Sequence, residues 1–203
     1  TLFRSAANLT NEMNSPDKFK EYLNLAPKYG IKVVPPSINR SETQFSVDNG
    51  EILYGLAAIK NVGANVVDSI IAEREKNGPY KSFMDFLSRQ GDATLNSRLV
   101  ECLIKTGCFD ELGIDRAILL ANLDEAFRYD KAQKSQSAFG QLSLFGGEEE
   151  SMLGEFEMKN ADPFPFLEKL KMEKELLGFY ISGHPLDSYE KEIRECVKVN
   201  VSD

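Results

Sequence analysis

The sequence predicts a mainly α fold with a small β-hairpin: a tandem helix-hairpin-helix domain, then a flexible linker and a C-terminal helical segment. Three observations carry this expectation. Apolar residues recur at helical spacing through most of residues 56–130. An apolar–polar–polar–apolar–Gly turn occurs twice, at Ile59–Gly63 and at Phe109–Gly113. Between 131 and 161 the composition shifts to Lys, Gln, Ser, Gly and Glu, with few apolar side chains.

Taken in order, residues 2–13 have the pattern of a helix end whose start is missing. Ser15-Pro16-Asp17 is a helix start, with a Ser cap, Pro in the first turn and Asp at the positive pole. That helix carries Phe19, Tyr22, Leu23 and Leu25 and should stop near Tyr29-Gly30. Ile31 to Val34, closed by Pro35-Pro36, suits an edge strand. Strands over 43–47 and 51–54 flank Asp48-Asn49-Gly50, a hairpin turn signal. A helix bearing Val66, Val67, Ile70 and Ile71 should end near Lys76, before Asn77-Gly78-Pro79. Ser82 and Asp85 suit a capping-box variant on a short helix that turns Phe83, Phe86 and Leu87 inward. Leu95 to Thr106 forms the next helix, with Leu95, Leu99, Cys102 and Leu103 as its stripe. Asp115 should cap a helix to about Lys131, burying Leu119, Leu120, Leu123 and Phe127. Past the linker, Asp162-Pro163 opens a helix whose face is Phe166, Leu167, Leu170 and Leu177. A strand-like run and a turn follow over 179–187, and a last helix runs from Asp187 or Ser188 to about Cys196. His184, the single histidine, sits beside Pro185 in a turn, a setting for a structural hydrogen bond rather than for catalysis.

The two turns suggest chemistry. A Gly permits a tight turn, and the amides that follow it lie at an open helix start, where they have no internal acceptors. Such amides suit a phosphate. Lys60, Asn61, Gly63, Ala64 and Asn65 in the first hairpin, with Gly113, Ile114 and Arg116 in the second, are therefore candidate contacts to a nucleic-acid backbone. Two such hairpins related by a pseudo-two-fold would each hold one strand of a duplex. The competing explanation is a pair of ordinary helical hairpins that only build a core. Within the linker, Gln141-Leu142-Ser143-Leu144-Phe145 places three large apolar residues in five, for which a solvated linker has no use. This has the form of a peptide anchor: Leu144 and Phe145 would fill a partner's pocket while Gln141 bonds at its rim.

Charge sets limits. The chain of 203 residues has a net charge of −8. Residues 1–55 carry six basic and six acidic side chains, 56–120 eight and nine, and 121–203 ten and seventeen. The hairpin region is thus near neutral, and any grip on DNA rests on amides and a few placed cations rather than on a broad field. Cys102, Cys108 and Cys196 lack metal-ligand spacing and are odd in number, as expected of reduced intracellular thiols. No apolar run reaches membrane-span length and no signal peptide is visible, so no membrane partner is expected.

Four stretches in this order carry a resemblance: Pro35-Pro36-Ser37-Ile38-Asn39, Gly55 through Gly63, Leu103 through Asp110, and Leu176 through Leu186. Together they resemble the alpha subunits of bacterial DNA polymerase III, the C family of replicative polymerases. The resemblance implies that residues 1–55 end the fingers domain and that 56–130 form the tandem helix-hairpin-helix holding duplex DNA. Residues 131–161 would be the linker with the internal clamp-binding motif at 141–145, and 162–203 would lead toward an OB-type domain beyond the fragment. It further implies a two-magnesium palm that is not in this chain, so no cofactor and no catalytic residue are expected here. The implied partners are duplex DNA, the sliding clamp and the remainder of the holoenzyme, in the cytoplasm. Asn61 departs from the pattern, since such hairpins often carry Gly there; Asn tolerates a left-handed backbone better than most residues. An error-prone alpha-type polymerase, a non-enzymatic repair scaffold with paired hairpins and a clamp peptide, and hairpins that only position domains are the alternatives.

Overall fold

The computed structural model describes residues 2–11, 21–22, 25–26, 29–91, 95–140 and 156–187. Helix α1 spans Leu2–Asn11 and packs Ala6 and Leu9 against a three-stranded sheet. The long helix expected after Ser15 lies largely outside the described residues; Glu21, Tyr22 and Leu25 are helical. Strands β1 (Val33–Val34), β2 (Ser46–Asp48) and β3 (Glu51–Leu53) are ordered β1-β3-β2. β2 and β3 form the expected hairpin, with Val47 opposite Ile52. Its turn residues Asn49 and Gly50 have φ of 50° and 80°, the primed-turn geometry that matches strand twist. β1 lies at the edge, as Pro35-Pro36 required, and runs parallel to β3.

Around this sheet the chain becomes helical. A 3₁₀ turn at Leu56–Ala58 leads into α2 (Ala64–Asn77), which buries Val67, Ile70 and Ile71. Arg74, on the same face, donates to the carbonyls of Ile38 and Ser41 at 3.2 and 2.6 Å. α3 (Phe83–Arg89) starts at Ser82, whose hydroxyl accepts from the Asp85 amide at 3.0 Å, while the Asp85 carboxylate accepts from the Lys81 amide at 2.8 Å. α4 (Ser97–Lys105) begins two residues after Leu95 because Asn96 is the cap, accepting from Leu99 N at 2.9 Å. Val100 and Ile104 are buried along with Leu99, Cys102 and Leu103, so α4 runs through the core rather than along its edge. Phe83, Phe86 and Phe109 meet edge to face at centroid distances of 5.1 and 5.3 Å, and so join α3 to the second turn.

α5 extends over Arg116–Gly140, beyond the stop expected near Lys131. Residues 131–140 are polar, but they hold no Pro, no β-branched residue and no Gly before 140. Lys134 fixes them: its ammonium donates to the carbonyls of Leu87 and Gln90 and pairs with Asp130 at 2.6 Å. The far side of the expected linker is also packed. Phe156 lies 5.3 Å from the Tyr129 ring, and the Asn122 side chain bonds both backbone groups of Lys159 at 2.8 Å. Of the linker expected over 131–161, residues 131–140 are helical and Phe156 packs against α5; the polar composition of 131–140 is compatible with a helix. Residues 141–155, with the anchor motif Gln141, Leu142, Leu144 and Phe145, lie outside the described residues.

α6 (Phe166–Leu177) buries Leu170, Glu173, Leu176 and Leu177. The face expected from sequence is rotated: Phe166 and Leu167 are more than 40% exposed. Residues 178–187 form a turn rather than a strand, and the helix expected to reach Cys196 lies outside the described residues. Asp187 accepts from the His184 amide at 2.6 Å, and His184 Nδ1 accepts from Leu186 N at 3.2 Å, a purely local set of bonds. Among the described residues no helix is long and apolar enough to cross a membrane.

Candidate nucleic-acid interface

The first hairpin turn runs from the 3₁₀ turn into α2. Ile59 and Val62 are buried beneath it, and Lys60, Asn61, Gly63, Ala64 and Asn65 are all exposed. The left-handed residue is Asn61, at φ 66°; Gly63 is extended, at φ −79° and ψ 143°. Gly63 therefore does not make the turn tight, as its sequence context implied, and any residue could adopt its backbone angles. An added Cβ at Gly63 would meet nothing within 4 Å. No contact among the described residues requires glycine there. The amides of Gly63, Ala64 and Asn65 have no acceptor among the described residues, and the first turn of α2 holds no acidic side chain. An exposed, unpaired positive helix pole results, with Lys60 beside it.

The second hairpin has the same sequence pattern and a different surface. Gly113 is left-handed, φ 77°, and its amide donates to Asp110 O at 3.1 Å. Asp115 covers the start of α5, accepting from Ala117 N at 2.8 Å and from Lys169 at 2.9 Å. The Lys169 bond, and then the amide, hold the Asp115 carboxyl below its ordinary pKa. A carboxylate thus stands where a phosphate would sit. Gly113 is exposed and Ile114 half-buried. Arg116, expected to contact DNA, requires correction: it is 4% exposed and fully engaged inside the protein. Its guanidinium bonds Asp110 at 2.6 Å, Glu173 at 3.1 Å and the Lys105 carbonyl at 3.0 Å. Burial acts to lower its pKa, but Asp110 and Glu173 more than offset this and the net shift is upward. The sequence held a sign of this enclosure. Arg116 shares a stripe with Leu119 and Leu123, and Glu173 one with Leu170 and Leu177, so each charge lies on an apolar face.

Glu173 was absent from the sequence-derived site. Its carboxylate, fully buried, bonds Arg116, the amides of Ile181 and Ser182 and the Ser182 hydroxyl. Asn61 Nδ2 faces Cys102 Sγ at 3.9 Å, and the Lys60 amide donates to Leu176 O at 3.0 Å. Cys102 and Cys108 are both buried free thiols; burial raises both pKa values, that of Cys108 to about 12.

A helix-hairpin-helix family model matches residues 30–119, which contain both turns. The DNA polymerase III subunit alpha of Borreliella burgdorferi is 46% identical over 198 residues, 97% of this chain. This chain is similar, nearly end to end, to a segment of DNA polymerase III subunit alpha. The alpha subunits of Treponema pallidum and Thermus aquaticus are 43% and 40% identical over 94% and 98% of the chain. The chain spans only 16–17% of the length of these relatives. The aligned alpha-subunit segment includes the stretch from Leu176 through Leu186, beyond the limit of the helix-hairpin-helix model.

Proposed function

We propose that this chain is part of a DNA-directed DNA polymerase, a replicative alpha subunit acting in the cytoplasm, and that it handles duplex DNA. Nucleotidyl transfer, with magnesium held by palm aspartates, depends on parts of the subunit outside these residues. The observation that carries the DNA reading is the start of α2: three unpaired amides, an exposed Lys60, and a Gly63 that no contact among the described residues requires. A glycine with open space around it and free amides behind it suits close approach of a phosphate. The second hairpin, with Asp115 covering its helix start, has no such open helix start and is not part of this contact. Weak binding is expected, since the chain is acidic overall.

Gly63→Ser tests this. A serine hydroxyl at the cap should hold or raise stability while occupying the amides itself. Duplex Kd at low salt should rise about tenfold, the loss of one hydrogen bond to a charged group, with Tm unchanged or higher. Lys60→Ala should reduce the salt slope by about one. Unchanged affinity in both variants would reduce the hairpin to a structural role.

We further propose that Gln141, Leu142, Leu144 and Phe145 dock on a sliding clamp. Support comes from the Gln-Leu-Ser-Leu-Phe pattern and from the two flanks, Gly140 on α5 and Phe156 against Tyr129, which belong to the unit that carries the hairpins. The anchor and the DNA-facing turn would then act from one body, raising effective concentration on a ring around the same duplex. Leu144→Ala with Phe145→Ala should abolish clamp binding in calorimetry and leave duplex binding intact; retained clamp affinity rejects the assignment.

A further inference from the structure

We propose that α6, which lies beyond the helix-hairpin-helix match, is the positioning element of the phosphate-facing turn. One face of this helix touches both hairpins in sequence. Lys169 pairs with Asp115 at 2.9 Å, and Glu173 pairs with Arg116 at 3.1 Å, both at the start of α5. At the other end the Leu176 carbonyl accepts from the Lys60 amide at 3.0 Å, and the Leu177 carbonyl accepts from the Tyr54 hydroxyl at 3.0 Å. The Tyr54 hydroxyl also reaches Ala58 O at 3.3 Å, in the 3₁₀ turn that enters the first hairpin. The last carbonyls of a helix have no partner within it. Here one partner is Lys60 of the first hairpin and the other is Tyr54, which follows β3 and leads into that hairpin.

The turn needs such support. Asn61 holds a left-handed φ of 66°, which Asn reaches more readily than other non-glycine residues but still as a minority conformation. A conformation of this kind persists where the surroundings over-determine it. Lys60 is tied to α6 and Asn61 to α4, on either side of the bond that turns. Glu173 fixes the position of α6 along its own axis, because its carboxylate has partners on both α5 and the 178–187 turn. α6 therefore sets the direction of the amides that follow Asn61. This consequence for DNA rests on the hairpin reading above; the positioning itself does not.

The test uses the whole chain and a buried residue that cannot touch DNA. Tyr54→Phe removes the hydroxyl between α6 and the hairpin. Ser82→Ala removes the cap of α3 and serves as a control of similar stability cost, away from α6. Amide exchange by NMR at Lys60 should speed up about fivefold in Tyr54→Phe and not in Ser82→Ala, the scale of one lost net hydrogen bond. Duplex Kd should rise about threefold to fivefold in Tyr54→Phe alone, with an unchanged salt slope because no cation is lost. Lys169→Gln reaches the same readout from the partly exposed end of α6 and should give about a twofold acceleration. Equal acceleration in Tyr54→Phe and the Ser82→Ala control, or none at Lys60 in either α6 variant, overturns the proposal. Absence of duplex binding by the unaltered chain would instead remove the hairpin reading, while the exchange rates still decide what α6 does.

Discussion

Glu173→Ala is expected to cost about 3–5 kcal/mol, the range for removing one partner of a buried ion pair. A domain of this size has about 5–15 kcal/mol in total, so the variant should lose a large fraction of its stability and unfold at a clearly lower urea concentration. The loss does not measure the attraction between Glu173 and Arg116. It measures what remains once the carboxylate is gone. Arg116 keeps a buried charge with one half-exposed partner, Asp110. The amides of Ile181 and Ser182 and the Ser182 hydroxyl all lose their acceptor. Ile181 is half-buried and Ser182 exposed, so water replaces part of these bonds and the stranded Arg116 charge carries most of the loss. Apolar replacement of both charges, Glu173→Leu with Arg116→Met, should therefore be less destabilising than Glu173→Ala alone. Urea midpoints for the three proteins decide this. A double variant as unstable as Glu173→Ala, or more so, would mean that the pair contributes attraction that apolar packing does not replace.

The elements that were legible in the sequence are those specified by local chemistry. Asp48-Asn49-Gly50 makes its own turn, and Ser82 and Asp85 make their own cap. The failures arose where tertiary contacts decide. The Lys- and Gln-rich end of α5 has a linker's composition, and only the carbonyls of Leu87 and Gln90, offered by a distant segment, show why Lys134 is ordered. The turn repeat was real as a pattern but not as a conformation. Gly63 and Gly113 align in sequence, yet one is extended and the other left-handed, because Asn61 had already made the first turn. Arg116 follows a helix-start glycine in sequence, a position that suggests a phosphate ligand. Only the buried Glu173, 57 positions away, shows which way it points.

Gly107→Ala should be the most damaging of the glycine substitutions around the second hairpin, at about 2–5 kcal/mol, from backbone strain and overpacking together. Gly107 ends α4 at φ 85°, its amide donating to Ile104 O and the Cys108 amide to Leu103 O, the Schellman arrangement. Left-handed backbone alone costs alanine about 1 kcal/mol. The rest is steric: a Cβ there would overlap the Arg116 guanidinium and lie 2.8 Å from the Asp110 carboxylate. A free side chain would swing aside, but this guanidinium is held by Asp110, Glu173 and the Lys105 carbonyl together. Gly113→Ala isolates the backbone part, since Gly113 has φ 77° and nothing within 4 Å of its Cβ position. In urea denaturation Gly107→Ala should exceed Gly113→Ala by about 2 kcal/mol, with similar m-values. Equal losses would show that the guanidinium moves aside freely. Glu173 would then not be holding Arg116 in place, and the large loss expected for Glu173→Ala would fail with it.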